Sequence, residues 1–392
     1  MGKGKKNRNK LKKKQSIDTL PNVSICTPTF NRRPFFKGLI QCIKDQDYPH
    51  SKIEWVVVDD GFDKVEDLIS DSKEILNDIK ITYCREETQM PLGKKRNFMH
   101  QKCTFTGDDD VIVYMDDDDY YPPTRVSHAV KKLQSHKNAL CAGSSELYIW
   151  FNTLDKMYKF GPYGPNHATA GTFAFRRKLL KQSHYEDEAV LAEEKHFLKN
   201  YTIPFVQLDP FHTILVFSHE QNTFDKRRLI NKQNSKCKES YVKCKQIVKS
   251  PEQLSFYTEE ILNSLKLYSD GDVKHKPNVL NEIKRRDAER EKIMQSQMQN
   301  VKTPICITDK DGNKRELTTG EVMTILRENT ERNKELTNIK SALENENKNL
   351  KETNDILKAK LVNYEEKIKE LESTIDIDNN RIIQLENMLN EN

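Results

Sequence analysis

Val111-Ile112-Val113-Tyr114-Met115-Asp116-Asp117-Asp118-Asp119-Tyr120-Tyr121-Pro122-Pro123 joins five apolar residues to four carboxylates without a break. The apolar run has the length and composition of a buried strand. Four adjacent carboxylates repel one another unless a cation or hydrogen-bond donors neutralise them. In an open α/β sheet, ligands bind at the C-terminal ends of the strands. Hard divalent ions take oxygen ligands, so acids placed there suit Mg2+ or Mn2+ held together with substrate phosphates. An Asp run in isolation reads as an acidic turn. Here a buried-type strand leads into the run and Tyr120-Tyr121-Pro122-Pro123 closes it, which favours a metal site.

Working outward, Asn22-Val23-Ser24-Ile25-Cys26-Thr27-Pro28-Thr29 reads as a first strand. Asn31-Arg32-Arg33-Pro34 opens a helix through Phe36, Leu39, Ile40 and Ile43. A second strand, Ile53-Glu54-Trp55-Val56-Val57-Val58, also stops at acids, Asp59-Asp60-Gly61. Helical sequence, a short strand at Ile79–Tyr83 and a helix beginning at Pro91-Leu92-Gly93 lead to the acidic strand. Alternating strands and helices predict an α/β domain with a mainly parallel, doubly wound sheet. Two of its strands deliver carboxylates to the same edge. Gly93-Lys94-Lys95-Arg96 lacks the spacing of a Walker phosphate loop, so an NTPase is excluded. Later, Leu140–Trp150 reads as a strand pair, and Gly171-Thr172 as the entry to a helix carrying Arg176, Arg177 and Lys178. The turn-rich loop Gly161–His167 is a place for acceptor contacts.

The order of these motifs resembles the family 2 glycosyltransferases of GT-A fold. The residues that carry it are Thr27-Pro28-Thr29-Phe30-Asn31-Arg32, Val57-Val58-Asp59-Asp60-Gly61, Gly93-x-x-Arg96-Asn97 and Asp116-x-Asp118-Asp119. Ala170–Arg177 and Ala192-Glu193-Glu194-Lys195-His196-Phe197 continue it, so it covers about residues 20–230. In overall flavour the chain is similar to glycosyltransferases of large DNA viruses, which implies a host-cytoplasmic setting. The resemblance implies a nucleotide diphosphate sugar as donor, a UDP-sugar first among them, and Mn2+ or Mg2+ as cofactor. It assigns Thr27, Pro28, Thr29 and Arg32 to the nucleotide-side loop, and Asp59 and Asp60 to base and ribose. Arg96 and Asn97 fall near the diphosphate or sugar. Asp116 and Asp117 belong with the donor, Asp118 is the first metal ligand with Asp116 beside it, and Asp119 supports them. His219 is a further metal-ligand candidate, and a lone His is equally often structural. Glu193-Glu194 stands at the family's Glu-Asp pair; Glu194 is the expected base and Glu193 the alternate. The motif and membrane helices of processive members are missing, so transfer of a single sugar is expected. Two other readings share the fold. One is a non-catalytic scaffold, which intact acids disfavour; the other is a sugar nucleotidyltransferase, whose glycine-rich loop Pro28-Thr29-Phe30-Asn31 does not supply.

Composition points to a globular part with solvated extensions: of 392 residues, 32% are charged and 35% hydrophobic. Seven Lys and one Arg fall in Met1–Lys14; subtracting those eight from a net charge of +5 leaves −3. Residues 1–20 therefore read as a basic disordered tail, without the interleaved aromatics of a nucleic-acid site. No apolar run reaches the roughly 20 residues of a membrane helix, and no signal peptide follows the basic start. Cys26, Cys42, Cys84, Cys103, Cys141, Cys237, Cys244 and Cys306 form no CxxC pair and read as reduced thiols of a cytoplasmic protein. Residues 231–300 read as a polar helical linker, and 301–320 as a small hairpin turning at Asp311-Gly312. Residues 321–392 read as a coiled coil: Leu336, Leu343, Leu350, Leu357, Tyr364 and Leu371 recur every seven residues. Asn333, Asn347 and Asn354 at the partner phase predict a parallel homodimer, since buried Asn fixes register.

Overall fold

The computed structural model describes residues 17–230, 235–299, 306–308 and 314–390. It divides at Arg290 into two units. The first is built on β1 (Val23–Thr29). The chain then passes through α1 (Phe36–Lys44), β2 (Ile53–Asp59), α2 (Glu66–Asp71), β3 (Lys80–Arg85) and α3 (Leu92–Lys102) to β4 (Val111–Tyr114). β1 pairs in parallel with β2 on one side and with β4 on the other, and β2 pairs in parallel with β3. Crossovers from β1 thus run in opposite directions, and the cleft between β1 and β4 is a topological switch point.

Side-chain alternation explains why helices cover both faces. Val23, Ile25, Trp55, Val57, Val111 and Val113 enter one apolar cluster, with Leu39 and Ile43 of α1. Cys26, Val56, Val58, Ile112 and Tyr114 enter the other, with Met99 of α3. Strands buried on both faces are near-continuously apolar, as these are.

After α4 (Arg125–Ser135) the chain departs from the sequence expectation. Leu140–Trp150 is not one strand pair: β5 (Cys141–Gly143) lies in the main sheet, whereas β6 (Leu147–Phe151) starts a second one with β7 (Lys156–Phe160). Gly171-Thr172 opens no α-helix. It forms a single 3-10 turn and runs into β8 (Ala174–Arg176), antiparallel to β4 and β5. The alternation of Phe173 and Phe175 toward one cluster and Ala174 toward the other requires a strand there. The main sheet is accordingly mixed. After α5 (Glu194–Phe197) and β9 (Phe205–Gln207), its seven described strands run β3-β2-β1-β4-β8-β5-β9. β10 (Leu215–Ser218) and β11 (Cys237–Ser240) flank the second sheet, in the order β10-β6-β7-β11. An isolated bridge from Tyr120 to Leu215 ties the acidic run to that sheet.

The polar stretch that follows packs onto this core. α6 (Cys244–Ile247), α7 (Pro251–Ser255) and α8 (Ile261–Lys266) carry buried Cys244, Ile247, Gln253 and Ile261. Between the last two, Tyr257 is fully buried and its hydroxyl donates to Asp119 O at 3.0 Å. α9 (Pro277–Gln299) follows.

In the second unit, β12 (Cys306–Thr308) pairs antiparallel with β13 (Lys314–Glu316). The Asp-Gly turn between them, like the basic tail at 1–16, lies outside the described residues. α10 (Thr319–Asn390) follows, with Leu336, Leu343, Leu350, Leu357, Tyr364 and Leu371 all exposed. Among the described residues no helix is long and apolar enough to cross a membrane.

Candidate active site

The ends of β1, β2 and β4 share one edge, with Thr29 in register with Asp59 and Cys26 with Tyr114. The four acids that follow β4 do not point the same way. Asp117 and Asp119 are buried, while the side chains of Asp116 and Asp118 keep 27% and 16% exposure, the i, i+2 alternation of an extended chain. Asp117 lies 3.8 Å from Arg32 Nε, and Asp119 Oδ1 accepts the Phe217 N–H at 3.0 Å. Burial and the neighbouring Asp118 charge push Asp117 up to about 7. Burial likewise raises Asp119. Burial acts in the same sense on Asp118, but the His219 hydrogen bond and the Lys226 charge outweigh it and hold this carboxyl below the usual range. Asp118 therefore stays ionised.

His219 Nε2 stands 3.2 Å from Asp118 Oδ2. Burial pushes its pKa down to about 4, so the ring is neutral. Asn222 Oδ1 accepts the His219 N–H at 2.8 Å, which turns its amide nitrogen toward Nε2, also at 2.8 Å. Nε2 and the Asn222 amide nitrogen stand together beside Asp118 Oδ2, at 3.2 and 3.3 Å, so a carboxylate and a ring nitrogen meet at this edge. No group of three or more His, Cys, Asp or Glu among the described residues forms a metal cage. One carboxylate and one neutral imidazole still suit Mn2+, with the remaining positions left to phosphate and water.

Asp116 faces Arg96 across 3.5 Å, and its Oδ1 has no hydrogen-bond partner. Arg96 Nε donates to Glu193 Oε1 at 2.9 Å, and the guanidinium lies 4.4 Å from the Tyr114 ring centre. Glu193 is thereby buried and paired. Glu194 is half-buried and makes no ion pair among the described residues; burial and the Glu193 charge push it up to about 7.

Other expected residues turn inward. Both Asp59 oxygens are engaged, by the Gly61 and Val65 N–H groups and the Tyr83 hydroxyl. Asp60 accepts from Lys95 and from the Met90 N–H. Thr27 Oγ1 donates to Met115 O at 2.8 Å and accepts from Trp55 at 3.0 Å. Pro28 lies beside it in β1. Thr29 is buried at the end of β1, where its hydroxyl acts on the Asp117 carboxyl. Asn97 secures the 185–187 loop, donating to Tyr185 O and Asp187. The α3 N-terminus is closed off as well, because the Gly93 and Lys94 N–H groups donate to Ala189 O and Asp187 O.

Arg32, expected at the nucleotide-side loop, and its neighbour Asn31 reach carbonyls far along the chain, while Lys226, Lys95 and Lys276 at this edge escape motif reading. Arg32 donates to Gln221 O at 2.6 Å and Gly271 O at 3.0 Å, and Asn31 to Asp270 O at 2.9 Å. Lys226, whose ammonium donates to Phe217 O at 3.1 Å, acts on the acids from one side. Lys95 and Lys276 flank Phe30, with ammonium groups 6.0 and 5.4 Å from its ring centre. In sequence the last of these shows only as Lys276-Pro277, an ordinary helix start.

Residues 24–192 match the family described as Glycosyl transferase family 2. No curated protein sequence matches the chain. Among solved structures, the mannosyltransferase PcManGT from Pyrobaculum calidifontis, in complex with GDP-Man and Mn2+, is 18% identical with a TM-score of 0.42. The match covers 52% of this chain and 59% of that one, so the chain spans about three fifths of its length. S. aureus TarS 1-349 in complex with UDP is 19% identical with a TM-score of 0.38, covering 51% and 61% of the two chains. The same protein in complex with UDP-GlcNAc is 17% identical with a TM-score of 0.38, covering 66% and 79%.

Gly171 tests the geometry around the exposed acids. A methyl group there would stand 2.8 Å from Asp116 Oδ2. Gly171→Ala is expected to displace that carboxylate and to cost about 1–3 kcal/mol of stability. An unchanged urea midpoint would show that the strand end yields freely.

Proposed function

From the glycosyltransferase domain at residues 24–192, we propose that the chain moves one sugar from a nucleotide diphosphate sugar to an acceptor hydroxyl, with inversion and with Mn2+ or Mg2+. One observation carries this reading. Among the described residues, the buried polar atoms without a hydrogen-bond partner include Arg96 Nη1, Asp116 Oδ1, His219 Nδ1 and Gln221 Oε1, on residues that meet at one sheet edge. Most buried polar groups in proteins are hydrogen-bonded, so unpaired ones gathered beside the exposed acids support a place built for a polar ligand.

Asp118 and His219 would hold the metal, with Asp116 beside them; bound there, it supplies a Lewis acid to the departing nucleotide. Thr29 and Arg32 frame the nucleotide side, with Asp60 behind them holding Lys95, and a UDP-sugar is the first donor to test. Glu194 takes the proton of the attacking hydroxyl. Its environment separates it from Glu193: the Arg96 ion pair holds Glu193 in place, whereas Glu194 has a basicity matched to neutral pH. Because its carboxyl is raised to about 7, the ionised, proton-accepting form grows as pH rises through that value.

We further propose that α10 pairs in parallel with a second copy of the chain. Its exposed leucines, seven residues apart, form the stripe that a two-stranded coiled coil buries.

A thermal-shift panel of UDP, GDP and CMP with and without Mn2+ should show a metal-dependent rise with one nucleotide class. Asp118→Ala should remove that rise, and a persisting one would unseat Asp118 as ligand. For Glu194→Gln, donor binding is expected to remain while kcat falls about 100-fold or more. In the parent enzyme, kcat/KM should climb through about pH 7 and level off above it; a flat profile would move the base elsewhere. Light scattering should give a dimer mass for the full chain and a monomer for Leu350→Asp, Leu357→Asp, and a monomeric parent would rule out the pairing.

A further inference from the structure

Lys276 brings a positive charge to the site from outside residues 24–192. Its stem is partly exposed, but its ammonium reaches inward to Thr223 Oγ1 at 3.0 Å and to the Phe30 ring. Neighbouring cations have carboxylate partners: Lys95 has Asp60, Arg32 faces Asp117, and Arg96 pairs with Glu193. Among the described residues, no carboxylate lies within ion-pair distance of Lys276. Asp117 and Asp118 act on it only from farther off.

A cation withdrawn from water without a counter-ion destabilises the fold. Burial and the Arg32 charge push Lys276 down to about 7, against the pull of Asp117. The Thr223 hydroxyl and the Phe30 ring offset only part of that cost, since neither carries a negative charge. The chain nonetheless enters α9 at this residue, with the Val279 and Leu280 N–H groups donating to Lys276 O. The positive end of a 23-residue helix thus faces the same place. Between them lies a cavity of about 90 Å3 lined by Phe30, Met90, Lys95, Thr223, Lys276 and Val279. An ammonium without a carboxylate and a helix N-terminus beside one cavity attract an anion. Lysine serves phosphate as a point charge.

We propose that Lys276 binds a phosphoryl oxygen of the donor's diphosphate, so that the segment beyond the matched domain completes the donor site. The assignment rests on the nucleotide-sugar reading above. It makes affinity depend on the phosphate groups of the ligand, while contacts to the nucleoside stay with β1, β2 and their loops.

Calorimetric titration of the full chain with uridine, UMP and UDP, and with guanosine, GMP and GDP, all with Mn2+, tests this. Lys276→Met keeps the length of the side chain and removes its charge. It is expected to weaken diphosphate binding about 10-fold or more, leave nucleoside binding unchanged, and leave the ligand-free melting temperature equal or higher. Lys276→Arg should retain most of the affinity. An equal loss for nucleoside and diphosphate, or a lowered melting temperature with all ligands weakened alike, would make Lys276 a base-reading or structural residue and overturn the proposal. Unchanged diphosphate affinity in Lys276→Met would overturn it as well, with the donor site intact. A wild-type chain that binds none of the six ligands would instead overturn the donor-site reading, and this assignment with it.

Discussion

Repulsion among Asp116, Asp117, Asp118 and Asp119 is relieved by turning each carboxylate toward a different partner: Arg96, Arg32, His219 and the Phe217 N–H. Unit charges side by side in a partly buried site interact by several kcal/mol, more than an exposed turn has to bear. Each solution then commits another part of the molecule. Asp119 draws in β10 and, through its carbonyl, Tyr257. Asp117 fixes Arg32, whose remaining donors bind the carbonyls of Gln221 and Gly271. The second sheet and the segment after it are thus held by the strand end they help to neutralise.

The same logic separates chemically similar residues. Glu193 and Glu194 are adjacent, yet one is buried against Arg96 and the other is left to feel its neighbour's charge. Asp59 and Asp116 both end strands, yet the first meets three internal donors and the second has an oxygen without one. Position along the chain brings a carboxylate to the edge. The donors around it determine whether it remains available.

Sequence made the parallel half of the sheet legible because Val23–Thr29, Ile53–Asp59 and Val111–Tyr114 are apolar on both faces and end in turn formers or acids. Their alternation with helices allows few other arrangements. The acidic run Asp116–Asp119 was also readable as a strand end, since it follows Val111–Tyr114 almost directly. β8 was not, because Phe173-Ala174-Phe175, between Gly171-Thr172 and a basic run, is too short for periodicity to separate strand from helix. The internal use of Asp59 and Asn97 was equally hidden. It depends on Tyr83 and on the 185–187 loop, which are distant or featureless in sequence. Residues 235–290 are polar enough to look like a linker, yet a few buried positions, Tyr257 and Ile261 among them, suffice to pack them. Composition averages over a segment; packing depends on single side chains.

Asn31 and Arg32 bond to Asp270 and Gly271 across 239 residues of chain, whereas Arg33 beside them finds Asp63 only 30 residues away. In an unfolded chain, closing the longer loop costs about 2 kcal/mol more by the logarithmic rule. The β1–β4 half has its partners early, and its helices and parallel strands form from neighbouring sequence. The contacts at 270–271 come last. During synthesis these two bonds cannot form until residue 271 has emerged, long after the sequence of β1–β4 is complete.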